Sequence, residues 1–136
     1  MEKEVYLKKL REHFANDKYA SESTDCVIED ADENYAKCSF IISEKHQNAV
    51  HGVMGGAIFT LADFTFAVAV NGLKKEGITV SLVSQISFLS SPKGSKLIAE
   101  AHCIKQGRST SCYEISISDD TNRRIALVTF TGFSKN

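Results

Sequence analysis

Apolar residues first recur at Val5, Tyr6, Leu10 and Phe14, one stripe of a helix over residues 3–16, with Lys8, Lys9, Arg11 and Glu12 off the stripe. Two short strand patterns follow, at 25–29 and 35–42. The polar run Asp30-Ala31-Asp32-Glu33-Asn34 between them suits a hairpin connection. Residues 56–71 are apolar on nearly every side, which predicts a helix buried all round. Thr, Phe and Val are weak helix formers, so its length and alanine content decide the assignment, and Asn71-Gly72 supplies the stop.

Beyond Gly77 the period becomes two. Strands are expected at 78–89, 96–105, 110–118 and 124–133, with turns at Ser91-Pro92-Lys93-Gly94, Gln106-Gly107-Arg108 and Asp119-Asp120-Thr121-Asn122. Val80, Leu82, Ile86 and Phe88 alternate onto one face, and Leu97, Ala99, Ala101 and Cys103 do the same. Short connections between successive long strands predict an antiparallel meander. The expected fold is α+β: one antiparallel sheet curled around one long buried helix, with an extra helix in an N-terminal extension, residues 1–20. One sheet cannot cover such a helix on all sides, so an oligomer is expected.

With 136 residues, the chain is long enough for a single domain, 1–136, whose core needs no metal or disulfide staple. The charged start lacks the apolar stretch of a signal peptide, and the apolar run 57–70 is too short to span a membrane and carries Asp63. Cys26, Cys38, Cys103 and Cys112 form no C-x-x-C pair and fall in strand patterns, which suits buried reduced thiols in a cytoplasmic setting. Residues 1–50 hold eleven acids against seven Lys/Arg, and residues 51–136 six against nine. That excess is too mild for a nucleic-acid surface but leaves basic groups for a small phosphorylated ligand.

Asp63 is the odd residue of the apolar helix. It either fixes packing through a hydrogen-bonding partner, or it is a general base or nucleophile kept in a dry cleft. Gly55 and Gly56 stand at the start of the same helix, where free N–H groups and the helix dipole can hold a developing oxyanion, unless the pair is only a flexible turn. Eight residues of helix separate Gly55 from Asp63 by about 12 Å. One chain cannot easily aim both at one bond, whereas a two-fold dimer can.

The stretch from Asn48 to Asn71, with Gly55-Gly56 and Leu61-Ala62-Asp63 at set spacing, resembles the signature of PaaI-type hotdog acyl-CoA thioesterases. The Ser91–Gly94 and Lys105–Arg108 turns are also similar, and the likeness covers residues 24–134. It implies a hotdog fold, dimers paired into a homotetramer, and hydrolysis of acyl-CoA, with coenzyme A part of the substrate and no metal or other cofactor. It implies Asp63 as base or nucleophile, the Gly55 N–H as the group polarising the carbonyl, Asn48 as a positioning group and Ser81 as an assistant beside Asp63. As residues of other kinds, Asn48 would be an Asx-turn and Ser81 an ordinary strand serine. Where the family has His before the glycine pair, this chain has Met54, with His51 three residues earlier.

Gly56, Met54 and His51 are candidate substrate contacts. Lys93, Lys105 and Arg108 are candidates for the phosphates, and Phe59, Phe64 and Phe66 for the acyl pocket. Two other classes stay open: a non-catalytic acyl-CoA binding or regulatory module, and a dehydratase of the same fold. Dehydratases of this fold pair a His with the acid, so Met54 favours hydrolysis.

Overall fold

A computed structural model describes residues 1–135. Helix α1 (Lys3–Phe14) and a single π-helical turn (Tyr19–Ser23) precede β1 (Val27–Asp32) and β2 (Tyr35–Ile41). A 3-10 turn (Glu44–His46) leads to α2 (Gly55–Asn71), and then come β3 (Thr79–Phe88), β4 (Lys96–Gln106), β5 (Thr110–Asp119) and β6 (Arg124–Ser134). The strands form one antiparallel sheet ordered β1-β2-β4-β5-β6-β3, with α2 packed on its inner face.

That order corrects the expected meander. Of the last four strands only β4, β5 and β6 follow one another; β3 pairs with β6 at the far edge. Its end lies three strand spacings from β4, roughly 14 Å, within the reach of the connection through residues 89–95. This crossover is held from both strands it passes: Leu89 N–H donates to the Ile125 carbonyl (2.8 Å), and Lys93 N–H to the Asp119 carboxylate (2.8 Å). A turn-rich linker thus reads like a hairpin in sequence and acts as a bridge.

Three smaller expectations shift. β1 runs on to Asp32, because Ala31 is buried in the core while Asp30 points out to pair with Lys3 at 2.9 Å; Glu33-Asn34 make the turn, with Asn34 at φ 58°. A bulge between Ser81 and Val83 interrupts β3. Val80 pairs with Phe133 and Ile86 with Val128, positions on opposite faces of β6, so the Val80-to-Phe88 alternation is split. On α1 the buried stripe is Leu7, Leu10 and Phe14, while Val5 is exposed.

The other reading of alternation holds. Leu97, Ala99 and Ala101 are completely buried and Cys103 packs beside them. Phe66 stacks on Phe130 with centroids 4.6 Å apart and meets Tyr113 edge-on, which fixes the C-terminal half of α2 in the core. All four cysteines are free thiols; Cys26 and Cys38 are buried, and burial pushes their thiols up to about 12, while Cys103 and Cys112 are half-buried. Cys26 lies just before β1 rather than within it. Among the described residues, no helix is long and apolar enough to cross a membrane.

Candidate active site

Helix α2 buries Ile58, Leu61, Ala62, Phe64, Thr65, Phe66 and Val68 against the sheet and the N-terminal segment. One strip stays open: Gly56, Thr60, Asp63 and Ala67 recur at helical spacing and are exposed or half-buried. Asp63 therefore does not sit in a dry interior of the protomer, as its apolar neighbourhood in sequence suggested. The curled sheet leaves one side of the helix uncovered, and Asp63 lies on that side.

The start of α2 is held by the loop before it. His46 is 2% exposed, stacks on Phe40 at 4.0 Å, accepts the Ser43 N–H at Nδ1 and donates from Nε2 to the Thr24 carbonyl at 2.7 Å. Its own carbonyl accepts the Met54 N–H at 2.7 Å. Asn48 folds the intervening loop as an Asx-turn, its Oδ1 accepting the N–H groups of Val50 and Gly52, both at 3.0 Å. That leaves Asn48 Nδ2 for a ligand. Met54 is the cap residue, and no side chain caps the helix. The Met54 carbonyl takes the N–H groups of Ala57 and Ile58, leaving those of Gly55 and Gly56 free for an incoming acceptor. A side chain at Gly55 would meet the Phe88 ring at 3.0 Å, so the glycine keeps this approach open.

Two grooves flank these groups. Asn48, Gly52, Gly55 and Ile58 face Phe88, Leu89 and Pro92 across a cavity of about 500 Å³. Asp63 opens instead onto a second cavity of about 470 Å³, between Phe59, Phe64 and Ala67 of α2 and residues 17–20 of the N-terminal segment. Crowding by these neighbours, and then the negative charge of Asp17, hold the Asp63 carboxyl above the usual carboxylate range. A carboxylate so placed is a better proton acceptor than an ordinary surface Asp. In one protomer, then, the helix start and the carboxylate serve different grooves.

The other expected site residues are dispersed. Ser81 lies exposed on the edge strand β3 and borders neither groove. His51, at φ 65°, and Met54 are exposed beside the first groove without lining it. Lys93 sits in the crossover, next to the Ser91 and Pro92 that do line it. Lys105 and Arg108 are at the opposite end of β4, roughly 30 Å away, so one protomer cannot bring all three cations to one phosphate. Of the phenylalanines, Phe59 and Phe64 face the Asp63 groove and Phe66 is core.

Reading residue types missed two supports, His46 and Asp119. Asp119 is 1% exposed and accepts the N–H groups of Lys93, Gly94, Thr121 and Arg123 and the Thr121 hydroxyl. Burial alone would raise its pKa; these donors hold the carboxyl far below the ordinary range. Its signal in sequence, an Asp opening a polar turn, marks only the turn and not the distant loop it also holds.

The sequence pattern of the thioesterase superfamily matches residues 51–126. A candidate esterase of Archaeoglobus fulgidus is 34% identical over 90% of this chain and 79% of its own length. Acyl-coenzyme A thioesterase PaaI of Escherichia coli K12 is 32% identical over 71% of this chain and 68% of its own. A solved structure of the Escherichia coli PaaI protein superposes with a TM-score of 0.85 over 99% of this chain and 97% of that one, at 22% identity. The chain belongs to the thioesterase superfamily and is a hotdog-fold thioester hydrolase of the PaaI type.

Proposed function

We propose that the protein hydrolyses acyl-CoA thioesters at a site shared between two protomers. The observation that carries this reading is the presence, on one helix, of an uncapped start at Gly55 and, two turns on, a carboxylate of raised pKa at Asp63, each opening onto its own groove. Antiparallel apposition of two such helices would bring Asp63 of one protomer towards Gly55 of the next. β3 supports such a dimer. It is an unpaired sheet edge that exposes Val80, Leu82, Val83, Phe88 and Leu89, the kind of edge a second copy would cover. Pairing of dimers would give the homotetramer.

The thioester carbonyl would accept the Gly55 N–H. Asp63 would take a proton from water as its oxygen adds to the carbonyl carbon, and the oxyanion would be held at the helix start. Collapse would break the C–S bond, with the proton on Asp63 passing to the leaving thiolate to give free acid and coenzyme A. These atoms balance without a metal or redox cofactor. Direct attack by Asp63 would give a mixed anhydride. Where water opens it at the Asp63 carboxyl carbon, single-turnover hydrolysis in ¹⁸O-water labels Asp63 and the former Asp63 oxygen leaves in the product acid, a label the general-base route never leaves.

Asn48 Nδ2 would orient the water or carbonyl, with Ser81 assisting across the dimer. Gly56 and Met54 would flank the thioester, His51 lying further out. Lys93 on one protomer and Lys105 and Arg108 on another would meet the phosphates of coenzyme A. Free thiols suit a reducing compartment such as the cytoplasm. Hydrolysis is favoured over dehydration because His46 spends both ring nitrogens on the fold and His51 borders neither groove. The test is thiol release from a panel of acyl-CoAs with wild type and Asp63→Ala. Release that disappears in the variant supports the assignment, and equal release by both overturns it.

A further inference from the structure

The Asp63 groove has walls from two parts of the chain. Helix α2 supplies Phe59, Phe64 and Ala67, and the segment between α1 and β1 supplies Tyr19 and Ala20. Tyr19 is 70% exposed although it stands beside an apolar hollow, so its ring is available to cover whatever enters there. The segment is firmly placed. Arg11 Nε donates to the Ile28 carbonyl at 3.0 Å, Phe14 meets Phe64 edge-on at 5.9 Å, and Cys26 N–H donates to the Ala20 carbonyl at 2.9 Å. Behind Phe64 lies a second, smaller hollow of about 270 Å³, bordered by Phe14, Cys26 and Ile28. Phe64 lines both hollows and stands as the partition between them.

We propose that the Asp63 groove is the acyl subsite, that Tyr19 closes it, and that Phe64 is the end wall that limits the acyl group to a medium-length apolar chain. The proposal rests on the thioesterase reading for the identity of the occupant. Phe59, Phe64, Ala67, Tyr19 and Ala20 give a hollow near 470 Å³ walls that suit an apolar group. Its polar lining is Asp17, Thr60 and Lys18 beside Asp63, and the one cation among them, Lys18, is paired with Glu22 at 3.1 Å. The carboxylate at its rim places the reacting carbonyl where the chain would begin. The N-terminal extension is then a specificity element and not only a cover for the core.

The experiment measures binding of non-hydrolysable S-alkyl-CoA thioethers, butyl to dodecyl, and of coenzyme A alone, by titration calorimetry. Wild type is expected to bind more tightly with each added carbon up to a limit and then no further. Tyr19→Ala should erase about tenfold of the gain over coenzyme A while leaving coenzyme A itself unaffected. Phe64→Leu should move the limit to longer chains by opening the second hollow. A gain unchanged in Tyr19→Ala, a limit unmoved in a folded Phe64→Leu, or no gain over coenzyme A in wild type would each overturn the proposal. Because binding is read and not turnover, loss of thiol release with the chain-length pattern intact would count against the hydrolytic reading alone.

Discussion

The two ends of α2 are built on opposite principles. At its C-terminal end nearly every polar group has a partner. Gly72, at φ 52°, donates its N–H to the Val68 carbonyl, Lys74 Nζ reaches the Val70 carbonyl, and the Asn71 side chain both donates to the Thr79 carbonyl and accepts the Thr79 N–H. A Cβ at Gly72 would come within 2.9 Å of the Tyr6 hydroxyl, so α1 approaches the helix end closely at this glycine. At the N-terminal end Met54 offers no side-chain cap, the Gly55 and Gly56 N–H groups have no partner, and Gly55 lines a groove. One end has its backbone groups partnered within the protomer, and the other keeps unpartnered N–H groups, which the proposed mechanism uses to hold the thioester carbonyl.

The largest effect should come from Asp63. Asp63→Asn should lower kcat by about a thousandfold or more, read as thiol release. Its folding effect should go the other way. A carboxyl whose pKa is raised on folding favours the protonated state, so the native protein loses stability as pH rises from the ordinary Asp value through the raised one. At pH 7 the neutral Asn variant should melt at or above the wild-type temperature, and a clear drop would mean that Asp63 is a packing residue.

Next is Gly55→Pro. Proline is tolerated at the first helical position and removes the N–H that has no partner in the protomer. Its Cβ would meet the Phe88 ring at 3.0 Å, an exposed side chain that can turn aside, so Gly55→Ala, which adds the same Cβ and keeps the N–H, is the control. The extended backbone of Met54, φ −59° and ψ 132°, already suits a following proline. A fall in kcat of about a hundredfold with little change in melting temperature is expected. Asn71→Ala, at the other end, should reverse the pattern. Unfolding in urea should show a loss of about 1–3 kcal/mol, because the Thr79 backbone groups lose their partners, while kcat stays near wild type. Were the two variants to behave alike, the contrast between the ends would be empty.

The smallest effect concerns Asp17. Removing its charge in Asp17→Asn should lower the pKa of Asp63, so the acidic limb of the kcat/KM profile should move to lower pH. An upward shift would exclude Asp17 as a source of the perturbation.

The elements were legible because helix and strand periods are local. α2, β4 and the Asn71-Gly72 stop fall where the pattern puts them. Strand order was not, because nothing local to Ser91–Gly94 distinguishes a hairpin from a crossover, and the partner that decides it, Asp119, is twenty-five residues or more away. A single inserted residue in β3 likewise changes faces without changing the alternating look of the sequence. At the site, Gly55 and Asp63 stood out by type and spacing. The openness of Asp63, the distance of Lys93 from Lys105, and the role of Tyr19 depend on how separate elements pack. The helix start and the acid that follows it could be located from the sequence, and the surfaces around them could not.

In the proposed mechanism Gly55 and Asp63 of different protomers act on one bond. Gly55→Pro and Asp63→Ala chains, each inactive alone, should be unfolded together and refolded as a mixture. A shared site would restore about one quarter of wild-type thiol release, since half of the dimers would be mixed and each would hold one intact site of two. Mixed dimers that form yet remain inactive would contradict the account.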